Sequence, residues 1–161
     1  MDDHIPSTIR KSLLALTTTL LVIGLSSQAR AASAELVIAR ATGQVVSQAP
    51  CGPTEICQTT LVSGRATVLG KLTGVLDETI DIATGHYTGT ATFDGQSGSV
   101  FTTYVGFVTP PDASGSVAFI ENHTVVGGTG SFAGIAGRLA VTGTANALGQ
   151  ISIVGIGYVV R

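Results

Sequence analysis

The sequence predicts an all-β fold, a small closed antiparallel β-barrel of about eight strands that follows a cleaved signal peptide. Three observations carry this. Beyond residue 34 the chain is built from Thr, Val, Ala, Gly and Ile and has no long stripe of helical period. Turn chemistry interrupts it at fairly even intervals: the Cys51–Cys57 segment, Gly70 to Gly74, Ala83-Thr84-Gly85, Asp94 to Gly98, Pro110 to Gly115, Gly127 to Gly134, and Asn146 to Gly149. Between these breaks the residues alternate with period two.

Residues 1–34 read as the signal peptide. Arg10 and Lys11 supply the positive start, Leu13 to Leu25 is free of charge, and small residues follow at Ala29-Arg30-Ala31 and Ala32-Ser33-Ala34, two alternative cleavage sites. The apolar run is too short to cross a bilayer as a helix. The expectation is therefore a periplasmic or secreted protein with one domain, residues 35–161. That location makes Cys51 and Cys57, separated by Gly, Pro, Thr, Glu and Ile, a disulfide loop. Two thiolates without a nearby His are only half of a tetrahedral site, so no metal is expected.

The mature part holds five cations (Arg40, Arg65, Lys71, Arg138, Arg161) against eight acids, with no basic cluster. Displacing phosphate counterions takes several clustered cations, so nucleic acid is not an expected partner. The few aromatic residues are scattered and Thr is frequent at outward positions, which argues against insertion in a membrane as a barrel.

The strands divide into faces. Tyr87, Gly89, Ala91 and Phe93 share one face, opposite His86, Thr88, Thr90 and Thr92; Leu139, Val141 and Gly143 oppose Ala140, Thr142 and Thr144. Phe101, Val105 and Phe107 share a face with Thr103. Glycines within the strands imply bends or close backbone approach. Eight such strands with no covering helix close on themselves, with a flattened sandwich as the other solution. The final segment, Ile151 to Val160, is apolar on both faces. One face must point inward, so the outer one, with Ile156 and Tyr158, needs a cover: a connection such as the cysteine loop, or a second copy in a homo-oligomer.

Three residues are candidates for catalysis. Glu78 shares a face with Leu76, Ile80 and Ile82, and if that face is inward Glu78 is a carboxylate inside the barrel, unless it sits solvated at the mouth. Glu121 and His123 share a face with Val117, Phe119 and Val125 and form an acid–base pair if that face is inward. The preferred assignment is the reverse, with Ala118, Ile120, Asn122, Thr124 and Val126 inside and Glu121 and His123 in water.

Gly128-Thr-Gly130-Ser-Phe-Ala133 matches a dinucleotide fingerprint, but a strand follows where a helix is required, so it reads as a hairpin turn and no cofactor is expected. The longer stretch from Asn122 through Gly-Gly-Thr-Gly-Ser-Phe-Ala-Gly to Thr144 resembles the signature of the allene oxide cyclase-like (dirigent-type) barrels, over about residues 86–145. The resemblance implies an eight-stranded barrel with an apolar cavity, often oligomeric. None of its enzymatic members' catalytic residues can be matched here. Two functions remain: a non-catalytic binder of a small apolar molecule or structural module, and a cofactor-free isomerase or cyclase with Glu78 or Glu121 polarising the substrate. A ligand-sized cavity holding a buried carboxylate favours the second.

Overall fold

The computed structural model describes residues 33–161, so the signal-peptide assignment falls almost wholly outside the described residues. Eight strands follow: β1 (Ala34–Pro50), β2 (Glu55–Ala66), β3 (Gly70–Asp81), β4 (His86–Gly95), β5 (Gly98–Val108), β6 (Val117–Gly128), β7 (Ala136–Ala145) and β8 (Gln150–Val160). Each pairs antiparallel with the next, and β8 closes on β1 through Ile38↔Ile156 and its neighbours. Closure satisfies both edges of the sheet.

Alternation then decides what lies inside. Apolar residues at every second position form two inward clusters. One, around Val37, Leu72, Val100, Val125 and Val159, fills the end where β1 begins. The β6–β7 connection, with its short 3-10 turn Gly130–Phe132, buries Phe132 and Ile135 in that cluster and closes this end of the barrel. The second cluster surrounds the waist with Val62, Leu76, Tyr87, Tyr104, Phe119 and Val141. The opposite end is ringed by the connections 51–54, 82–85, 109–116 and 146–149 and remains open.

The interior glycines make room for rings. Across the strand pairs, Gly74 faces Phe93, Gly89 faces Tyr104, Gly106 faces Tyr87 and Gly143 faces Phe119. A Cβ at any of these four glycines would run into the aromatic ring opposite. The missing side chain lets each ring lie down over the partner strand, which fits four large residues into a narrow barrel.

Several expectations change. The turn placed at Gly70 to Gly74 is at 67–69, and Gly70 begins β3, because Thr73 and Gly74 pair with Asp94 and Phe93. On β5, where the sequence assigned no inner face, Phe101, Val105 and Phe107 face outward while Val100, Thr102 and Tyr104 are buried. On β6 the preferred assignment is reversed: Glu121 and His123 are 5% and 4% exposed, whereas Ile120 and Val126 face solvent. The polar residues turn inward because partners wait for them on β4 and β5. Cations scattered in sequence also meet in space, since register sets Arg40 beside Arg65 and Arg65 beside Lys71. On β8, Ile156 and Tyr158 are 55% and 51% exposed, so neither the cysteine loop nor any other described connection covers them.

Candidate functional site

Five adjacent strands, β2 to β6, bring seven polar side chains to the waist of the barrel. On β3, the period that points Leu76 and Ile80 inward also points Glu78 inward. Its carboxylate accepts hydrogen bonds from the Tyr104 hydroxyl of β5 at 2.9 Å and from the Gln58 amide of β2 at 3.0 Å. On β6, the carboxylate of Glu121 accepts the Tyr87 hydroxyl of β4 at 2.8 Å and meets Nε2 of His123 at 2.7 Å. Nδ1 of His123 lies 2.9 Å from the hydroxyl of Thr102. A carboxylate at Glu121 can only accept, so Nε2 of His123 carries a proton toward it.

The two halves touch through aromatic contacts. The Tyr104 ring stacks on His123, and Tyr87 meets Tyr104 edge-on with centroids 6.2 Å apart. Among the described residues, every buried side-chain nitrogen and oxygen has a partner.

Burial shifts the acidities. Removal from water raises Glu78 from the ordinary 4.5 to about 7; nearby Glu121 raises it too, and the bonds from Tyr104 and Gln58 pull it part of the way back. Burial first, and the neighbouring carboxylates second, push the phenols of Tyr87 and Tyr104 far above their usual range. Both tyrosines are thus hydrogen-bond donors at any physiological pH. Glu78 is half protonated near neutrality, which is the condition for giving and taking a proton equally well.

This cluster forms the floor of a cavity of about 440 Å³ that opens at the mouth. Its walls are Leu76, Ile80, Phe119, Ile151 and Ile153, with Gln48, Gln58 and Asn146 nearer the rim. Behind the cluster, toward the closed end, lies an apolar chamber of about 80 Å³ bordered by Glu121 and His123. An apolar pocket with a few convergent polar groups is the usual form of a small-molecule site. The disulfide joins Cys51 to Cys57 at the rim. No group of three or more His, Cys, Asp or Glu is set to hold a metal ion among the described residues.

All three sequence candidates therefore meet inside one barrel. Sequence reasoning missed Tyr87, Tyr104, Gln58 and Thr102. A signal was present for Tyr87: a tyrosine on the dry face of a strand needs a partner for its hydroxyl. His86, by contrast, is exposed against the edge of Phe107 and takes no part. No family model, curated protein or solved structure matches this chain, so the functional argument rests on the barrel and the side chains within it.

Proposed function

We propose that this is an exported barrel that binds a small, largely apolar molecule and performs cofactor-free acid–base chemistry on it, an isomerisation or cyclisation. One observation carries the reading: Glu78, with a pKa of about 7, lines an apolar cavity of about 440 Å³. A base at this position removes a proton from carbon and returns it elsewhere on the same molecule, while the Tyr87 hydroxyl stays engaged with Glu121. Apolar walls hold the substrate in one conformation and exclude water. The likeness of the β6–β7 hairpin to allene oxide cyclase-like barrels accords with a barrel that holds an apolar cavity, while the reaction does not carry over from it.

The test has two parts. The neutral dye N-phenylnaphthylamine should bind with enhanced fluorescence, and Val117→Trp, which fills the mouth, should abolish binding. A β,γ-unsaturated cyclic ketone should convert to its conjugated isomer with deuterium uptake from heavy water, and Glu78→Gln should stop conversion while leaving dye affinity within about twofold. Absence of dye binding sinks the proposal.

One observation favours a second reading, a non-catalytic binder or structural module: the polar cluster satisfies itself without any ligand. Dye binding without turnover of any such ketone supports that reading.

We also propose a homo-oligomer whose contact lies on the outer face of β8 and β1. There Tyr158 pairs with Leu36 and Ile156 with Ile38 in one continuous exposed apolar strip.

A further inference from the structure

The charges in and around the cavity specify the chemical class of its ligand. Glu78 and Glu121 both enter it, and no Lys or Arg among the described residues lines it. Outside, the five cations of the described residues, Arg40, Arg65, Lys71, Arg138 and Arg161, all lie on the half of the barrel that is closed, where Glu35 and Asp94 offset two of them. Glu55, Asp81 and Asp112 stand instead at the connections ringing the mouth, and Asp77 lies on the mouth side of β3. The barrel is a dipole with its negative end at the opening, which draws cations toward the mouth and repels anions.

A carboxylate ligand would add a third negative charge on the cavity floor with no cation to meet it. A neutral alcohol would hydrogen-bond there but gain little from the field. An ammonium gains a charge-assisted bond and the faces of Tyr87 and Phe119. We propose that the ligand is a lipophilic amine, its ammonium held by Glu78 and its apolar body against Leu76, Ile80, Phe119, Ile151 and Ile153. This rests on the reading of the cavity as the binding site and not on Glu78 as a base, since a carboxylate paired with an ammonium is not free to take a proton from carbon.

Glu78 sets the pH dependence. It is faced by Gln58 from β2, Tyr87 from β4, Tyr104 from β5, and Glu121 with His123 behind it from β6, while Asp77 beside it points outward. The tyrosines stay neutral, and Glu78 gains its negative charge as the pH rises through about 7. An alkylammonium stays protonated throughout that range. Amine binding must therefore strengthen as the pH rises through about 7.

Three probes with one body test this by calorimetry on the exported protein: adamantylamine, adamantanol and adamantanecarboxylate. At about pH 8.5 the amine should bind about tenfold tighter than the alcohol, and the carboxylate weakest. Lowering the pH to about 5.5 should remove most of the amine's advantage and leave the alcohol unchanged. Glu78→Gln should abolish the preference at every pH, and the wild-type pH profile decides the matter even if that variant fails to fold. A carboxylate that equals or exceeds the amine, or an amine preference independent of pH, overturns the proposal while leaving the cavity reading intact. If none of the three probes nor the dye binds, both fall.

Discussion

The imidazole of His123 lies flat against the ring of Tyr104, with centroids 4.3 Å apart and planes 16° apart. That stack holds the two carboxylates on either side of it, since Tyr104 donates to Glu78 and His123 meets Glu121. Tyr104→Phe keeps the stack and deletes the donor. Because this bond lowers the pKa of Glu78, the variant should titrate Glu78 above about 7, read from its carboxyl carbon by NMR. An unchanged titration would show that the hydroxyl does not reach Glu78 in solution.

Glu78 also gives stability a pH dependence of unusual sign for a carboxylate. Its folded pKa is raised from 4.5 to about 7, so the folded protein holds this proton more tightly than the unfolded chain. Its contribution is full below about pH 4.5 and is lost as the pH rises to about 7. The loss amounts to at most about 3 kcal/mol, reduced because the side chain is not wholly buried. Asp81, held low by Ala83 and Thr84, and Asp112, held low by Ser114 and Ser116, act in the opposite sense, losing stability only below their ordinary 3.8. Wild type should melt several degrees lower at about pH 8 than at about pH 5, and Glu78→Gln should flatten the difference. A melting temperature that climbs across that interval contradicts the assignment.

The Glu121–His123 pair is a buried unit, and removing one member strands the other. Glu121→Leu and His123→Leu should each cost about 3–5 kcal/mol in urea unfolding, and the double variant markedly less than their sum. Additive losses would mean that the two residues do not act as a pair.

Much of this barrel is legible in the sequence, and the failures have physical causes. Alternation on β4 and β7 identifies their inner faces because Thr marks the wet side so regularly. On β5 and β6 both faces mix polar and apolar residues, and the rule has no purchase. What sends Glu121 and His123 inward is Tyr87 and Thr102 on other strands, a match that becomes visible only once register pairs β4 with β5 and β5 with β6. The same holds for Arg40, Arg65 and Lys71, which are neighbours only across strands. The glycines announced close approach, but not that Tyr104 and Tyr87 are what approaches.

The exposed strip on β8 and β1 predicts self-association. Burying an Ile or a Tyr at a contact between copies is worth roughly 1.5–3 kcal/mol per side chain, and Ile156→Glu would place an unpaired charge there. Light scattering should give an assembly for the wild type at micromolar concentration and a monomer for Ile156→Glu. A monomeric wild type would refute the contact.

The most direct test of the account is the titration of Glu78 itself, followed by carboxyl-carbon NMR with and without N-phenylnaphthylamine. The free protein should give a midpoint near pH 7, and the dye should move the Glu78 signal while leaving that of Asp94, at the closed end, in place. A Glu78 that titrates near its ordinary 4.5 and ignores the dye would mean that the barrel holds neither the acid–base group nor the ligand assigned to it.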